Sequence, residues 1–194
     1  PDIAAHTAIA QSADLTLPND ITLGTYYVWI IVDNVSVSTL NQSSRTDDVA
    51  RSSALTVARP NLVPQNVTLN THQARRNDQI TVSWTMSNTG DADCPPSQTG
   101  LHIGTSATVP PTGDALNLRL ATPAIPAKSS TNQTSNITIP GGLALGTYYL
   151  WVVADDVPAS TLKQSSKADD AARSQALAVV AVIVRPNLIP QNVA

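Results

Sequence analysis

The chain has no phenylalanine, one cysteine (Cys94), one methionine (Met86) and only 13% charged residues among 194. Each shortage closes off a class of protein. A single cysteine cannot form an intrachain disulfide, so stability must come from packing and association; Cys94 reads as a buried or idle thiol, with chain cross-linking as its other use. Eleven basic residues against 14 acidic ones leave a formal charge of -3. With no basic run and no acidic tail, nucleic acid is not an expected partner. No apolar run approaches the ~20 residues that a membrane-spanning helix requires. The longest, ALAVVAVIV, is rich in β-branched residues and stops at Arg185 and Pro186, so it reads as a strand. No signal peptide is visible, and because the chain opens at Pro1 rather than at Met, that absence says nothing about export.

Catalytic motifs are missing as well. There is no phosphate loop, HExxH, nucleophile elbow or CxxC pair. His6, His72 and His102 are scattered, and none recurs in the internal repeat described next, where Lys128 stands opposite His6. The expectation is therefore no enzyme, with no catalytic, cofactor-binding or metal-binding residues.

What the chain does have is an out-of-phase repeat. The stretch from Leu23 to Val57 returns at Leu145 to Val179 with 22 of 35 positions identical, at a shift of 122. A second marker, RPNLVPQNV from Arg59, returns as RPNLIPQNV from Arg185 at a shift of 126, so the copies differ mainly in the connection before Arg-Pro. Read this way, residues 1–59 are the C-terminal half of one repeat, 60–185 a complete repeat, and 186–194 the first strand of a following one. Arrays of small units usually build or bind rather than catalyse. A half unit must bury its apolar face against a neighbouring part of the polymer or another chain, or fray.

Within the complete unit the apolar period is two. In QITVSWTMSN, Ile80, Val82, Trp84 and Met86 share one face and Thr81, Ser83 and Thr85 the other, which predicts a half-buried strand. In GTYYLWVVADD both faces are apolar, Tyr149, Trp151 and Val153 on one and Tyr148, Leu150 and Val152 on the other, which predicts a central strand covered on both sides. Further strands are expected at 61–69, 99–104, 115–121, 133–139 and 174–184, between turns such as NTGDAD, VPPTGD, AIPAKS and IPGG. The stretch KQSSKADDAARSQAL reads as a loop with one short turn. Pro60 and Pro64 restrict the first strand to a sheet edge or a crossover between domains. About seven short strands and no long helical segment predict an all-β fold of tandem immunoglobulin-like β-sandwiches.

Several of these segments together resemble the CARDB (cell-adhesion-related bacterial) domain: the opening Pro60-Asn61-Leu62, the rhythm of Met86, Asn88 and Gly90, and Gly146-Thr147-Tyr148-Tyr149 running into Ala154-Asp155. The resemblance covers about 60 to 181 and the partial copies on either side. It departs from the family pattern at Lys163-Gln164 and Asp169-Asp170, where a Glu and paired Asn residues are usual. What it implies is an immunoglobulin-like fold in extracellular, often tandem, surface proteins, and no enzymatic activity.

The remaining clusters have plain structural readings beside functional ones. All four tyrosines and two of the three tryptophans lie in the two LGTYY strands, where core packing is the stronger reading and a sugar platform the weaker; Trp84 is a core candidate too. Asp33 with Asp47 and Asp48, and Asp155, Asp156, Asp169 and Asp170, read as turn residues accepting backbone hydrogen bonds. Calcium is the one cofactor their hard oxygens would suit, although the spacing matches no known loop. Arg51 and Arg173 are expected to neutralise these pairs. Sequons at Asn34, Asn41, Asn66, Asn132 and Asn136 permit glycosylation. The expected role is a structural repeat of an extracellular filament or cell-surface stalk, its partners neighbouring copies of itself through the repeat junctions. The alternative is an adhesin domain that binds a glycan or a surface protein.

Overall fold

The computed structural model describes residues 3, 6–18, 20–113, 115–116 and 118–181. The described residues form strands and no helix, in two compact units, residues 1–57 and 58–194. The first unit holds β1 (Gly24–Tyr26), β2 (Trp29–Ile31), β3 (Val49–Arg51) and β4 (Leu55–Val57). The second holds β5 (Leu62–Leu69), β6 (Gln73–Arg75), β7 (Gln79–Asn88), β8 (Ser97–Gly104), β9 (Leu118–Thr122), β10 (Ser130–Thr138), β11 (Gly146–Ala154), β12 (Ala171–Arg173) and β13 (Leu177–Val180).

The second unit is an immunoglobulin-like β-sandwich. One sheet has the order β10-β7-β5; the other runs β6-β13-β11-β8-β9, with β12 also paired to β11. All pairings are antiparallel except β6 with β13. The period-two pattern of β7 works as expected: Ile80, Val82, Trp84 and Met86 point into the core, and Thr81, Ser83 and Thr85 lie half-buried on the other face. The facing sheet contributes Leu101, Ile103, Leu150, Val152, Leu177 and Val179. Each such side chain taken fully out of water stabilises the fold by roughly 1.5–3 kcal/mol.

Two expectations about individual strands hold in detail. β5 is an edge strand, as its prolines require, and Asn66 takes a left-handed φ of 53° where the pairing with β7 shifts register between Gln65 and Thr68. β11 is central, paired with β8 on one side and with β12 and β13 on the other. Its outer face is covered by the loop after β8, where Ser106 O accepts a hydrogen bond from Trp151 Nε1 at 3.1 Å. The Tyr148 hydroxyl donates to Ala144 O at 3.0 Å, the polar handle that a buried tyrosine needs.

The described residues of the unit form nine strands rather than about seven. The additions are three-residue pieces, β6 and β12, too short to show an alternation in sequence. The predicted strand at 115–121 begins at Leu118 and the last predicted strand, 174–184, begins at Leu177, while β12 falls within KQSSKADDAARSQAL, the stretch read as a loop. The final residues of 174–184, and the strand expected at 186–194, lie outside the described residues.

The first unit repeats the β11–β13 hairpin in the same register. Gly24 opposes Val57, Tyr26 opposes Leu55 and Trp29 opposes Arg51, as Gly146 opposes Val179, Tyr148 opposes Leu177 and Trp151 opposes Arg173. The backbone agrees too, with left-handed Asp33 (φ 54°) matching Asp155 (φ 52°). Burial does not agree. Trp29 is 57% exposed and Ile30 64%, against 5% for Trp151 and 0% for Val152. Residues 8–16, the counterparts of β10, form no strand, and Leu15 is 67% exposed where Ile137 is 2%.

Candidate functional site

The densest polar constellation in the second unit lies where the chain enters the sandwich. Pro60 lacks an N–H and biases Arg59 toward extended backbone, which delivers Asn61 and Leu62 to the head of β5. Asn61 is buried and uses every part of its amide. Its side-chain Nδ2 donates to Asp169 Oδ2 and Thr89 Oγ1, both at 2.9 Å, and its Oδ1 accepts from Ser166 N–H at 3.0 Å. The Leu62 N–H donates to Gln164 Oε1 at 2.6 Å, and Gln164 Nε2 donates onward to Asp170 Oδ2 at 2.9 Å. Ser165 N–H completes the set by donating to Pro60 O at 2.9 Å. Loop 164–170 thus grips Pro60-Asn61-Leu62 through four direct hydrogen bonds and one relay.

Asn88, at the end of β7, supports the grip from the other side. Its Oδ1 accepts from the N–H groups of Asn61 (3.0 Å) and Gly90 (3.1 Å), while its Nδ2 donates to the carbonyls of Ala92, Ile125 and Pro126. Gly90 is required by close approach, because a Cβ there would lie 2.3 Å from Arg59 O and 2.5 Å from Asn61 N. These two residues are why the Met86, Asn88 and Gly90 rhythm exists: it seats the opening strand.

The carboxylates around the grip are not solvated turn residues. Burial, the dominant influence, pushes Asp170 up to about 6, with further upward pressure from Asp169 and Asp155. Burial also opposes ionisation of Asp169, but hydrogen bonds from Asn61 and Ser166 outweigh it and hold that carboxyl below its usual value. Asp155 accepts from the Ser160 hydroxyl and pairs with Lys167 Nζ at 3.4 Å. Arg173 and Arg51 do not neutralise the aspartate pairs. The Arg173 guanidinium lies over Tyr149, 4.6 Å from the ring centroid, and Arg51 lies over Tyr27 at 4.5 Å; the cations facing the carboxylates are Lys167 and Arg45.

Other sequence candidates remain apart. His102 Nε2 sits 3.1 Å from Asp156 Oδ2, beside Arg119, and neither His6 nor His72 shares that site. Among the described residues no three His, Cys, Asp or Glu side chains are grouped to hold a metal ion. Cys94 is buried, and burial raises its thiol pKa. Asn34, Asn41, Asn66, Asn132 and Asn136 are all exposed. No described helix is long and apolar enough to cross a membrane.

The grip on β5 was not anticipated from sequence, because its two sides lie 102 to 108 residues apart. A signal was present nonetheless. Gln164-Ser165-Ser166 and Asp169-Asp170 recur unchanged as Gln42-Ser43-Ser44 and Asp47-Asp48, and Pro60-Asn61-Leu62 recurs as Pro186-Asn187-Leu188. In the first unit Gln42 Nε2 donates to Asp48 Oδ2, as Gln164 does to Asp170.

No curated protein sequence matches the chain. Among solved structures, the chain is similar to the crystal structure of a CARDB domain from Pyrococcus furiosus in complex with di-metal ions, at 16% identity and a TM-score of 0.44 over 63% of this chain and 90% of that one. It is also similar to the solution structure of that domain, at 17% identity and a TM-score of 0.45, covering 63% and 96% of the two chains. An alkylpurine DNA glycosylase from Pseudomonas fluorescens bound to DNA aligns at 8% identity and a TM-score of 0.39, over 63% of this chain and 31% of that one. The CARDB family profile matches residues 59–167, from the opening Arg-Pro-Asn-Leu as far as Lys167 within the gripping loop, and this span is more than half of the chain. The chain therefore belongs to the CARDB family, a family of non-catalytic β domains.

Proposed function

We propose that the protein is a non-enzymatic structural repeat of an extracellular filament or cell-surface stalk, whose units join end to end through the repeat junctions. The observation that supports this reading most is the duplicated hairpin. The two copies share register and hydrogen bonding, yet one is covered by a complete sandwich and the other presents Trp29, Ile30, Val32 and Val49 to solvent. An apolar face of this kind on a preformed hairpin is a joining surface.

The aromatic residues of the complete unit favour scaffolding over ligand capture. Tyr148 and Trp151 are buried, and Tyr149 is roofed by Arg173, so none offers a free ring for sugar stacking. Electron microscopy or small-angle scattering of the native material tests the reading. A rod with an axial repeat of one or two sandwich lengths is expected; isolated compact particles at all concentrations would refute it.

A further inference from the structure

Among the described residues of the second unit the outermost strands are β5, β6, β9, β10 and β12, and all but β10 carry features that discourage further pairing. β5 has Pro64 and the register shift after Gln65, β6 and β12 are three residues long, and β9 has five residues with Arg119 exposed among them. Such features keep sheet edges from taking accidental partners. β10 has none of them: it runs as STNQTSNIT, nine residues without a charge, a proline or a register shift against β7. Its open side is also self-complementary. Ser129 O accepts from Asn88 N–H at 2.8 Å and Asp78 O accepts from Ile139 N–H at 2.9 Å, so in this register the odd-numbered residues turn their backbone groups to β7. By the alternation of an antiparallel pair, Ser130, Asn132, Thr134, Asn136 and Thr138 turn theirs to the open side. All five are exposed. They mirror about Thr134, with Asn132 reflecting Asn136 and Ser130 reflecting Thr138, one hydroxyl for another. The corresponding residues of the first repeat, Ala8, Ala10, Ser12, Asp14 and Thr16, do not mirror, so the pattern belongs to β10 itself.

We infer that β10 is a lateral interface, pairing antiparallel with β10 of a second copy about a two-fold axis through Thr134. In that register the outward N–H and C=O groups of Asn132 meet those of Asn136 in the second copy, Ser130 meets Thr138, and Thr134 meets its own counterpart. The three-stranded sheets of the two copies then run on as one sheet. Any other centre along the strand leaves some of the five outward residues without a partner. The edge is held in place before it pairs. Gln133 Oε1 accepts from Trp84 Nε1 at 3.0 Å and its Nε2 donates to Ala121 O at 3.2 Å, while the hydroxyls of Thr85 and Thr81 donate to Asn132 Oδ1 and Asn136 Oδ1 at 2.8 Å each. A strand ordered in advance loses little conformational freedom on association. A second copy is the fitting occupant because the edge offers no charge for another partner to complement, and its own reverse matches amide with amide and hydroxyl with hydroxyl. This contact sets units side by side, and so goes beyond end-to-end joining.

The test follows the full 194-residue chain, carrying no glycan at Asn132 or Asn136, by sedimentation velocity over a concentration series. Four chains are compared: the unaltered one, Thr134→Lys, Thr134→Glu and Ser83→Lys. Thr134 lies on the axis, so either substitution there sets like charges opposite each other and should weaken association about tenfold. Mixing the Thr134→Lys and Thr134→Glu chains sets opposite charges together and should restore it. Ser83→Lys puts the charge on β7, across from Thr134 within one copy, and should associate as the unaltered chain does. Thr134 is exposed, and the thermal transition of each chain reports its folding separately. Association that ignores Thr134→Lys, or a loss that mixing does not restore, would overturn the inference while end-to-end joining stands on its axial repeat. A Ser83→Lys chain as impaired as Thr134→Lys would move the contact to the sheet face and overturn edge pairing. A chain monomeric at every concentration would overturn it too.

Discussion

The two hairpins of this chain separate what local sequence does from what a partner sheet does. Residues 23–57 and 145–179 pair in one register. They share the tyrosine hydroxyl contact to a carbonyl four residues earlier and the serine that accepts from a strand N–H, Ser52 from Val28 and Ser174 from Leu150. They share the left-handed aspartate with its serine and its cation. All of these lie within the hairpin itself, so the hairpin carries its own instructions. Burial, by contrast, is supplied by β5, β7 and β8, and the first unit has no counterpart of these strands among its described residues. A two-stranded hairpin is marginal alone, and it becomes a stable element when an apolar sheet covers it.

Paired substitutions break the comparison most sharply in the core. Leu177 is fully buried and Leu55, its duplicate, is partly exposed. Leu177→Ala should destabilise the second unit by about 2–5 kcal/mol, and Leu55→Ala should change stability by less than about 1 kcal/mol, both read from urea midpoints at constant slope. The grip comes next. Gln164→Ala leaves the buried Leu62 N–H without its acceptor and should cost about 1–3 kcal/mol, whereas Gln42→Ala in the dilute chain should stay within about 0.5 kcal/mol.

The pH dependence of the second unit is a smaller effect with a defined sign. Asp170 has a folded value of about 6 against an ordinary 3.8, so the folded state binds its proton more tightly than the unfolded state does. Its contribution to stability is fully present below 3.8 and is lost as pH rises through about 6. Asp170→Asn should remove this slope, which urea midpoints at several pH values between 4 and 7 would reveal. Asp169, held low, acts in the opposite sense and only in the more acidic range. Smallest of all is the exposed cation. Lys167→Ala should shift the midpoint by no more than about 0.5 kcal/mol, since the ammonium end remains largely in water.

How much of this was legible in the sequence follows from range. The alternation from Ile80 to Met86 reports burial directly, and the paired apolar faces of β11 report a central position, because strand period is a local property. Family membership was carried by short motifs that survive intact. Strands β6 and β12, at three residues each, are shorter than any pattern. The stacking of Arg173 on Tyr149 was read as charge neutralisation because sequence shows spacing to Asp170 but not the cross-strand neighbours on β11. Most of all, the grip of Gln164, Ser166 and Asp169 on Asn61 joins residues more than 100 positions apart, and only their joint recurrence hinted at it.

The central claim, that one hairpin sequence is kept twice and covered once, is tested most directly by amide hydrogen exchange resolved by mass spectrometry on the dilute, monomeric chain. In one sample, peptides from residues 145–179 should exchange at least about 100-fold more slowly than those from 23–57, because the former exchange through opening of the whole sandwich and the latter through local fraying. Equal protection of the two hairpins in the monomer would contradict the account.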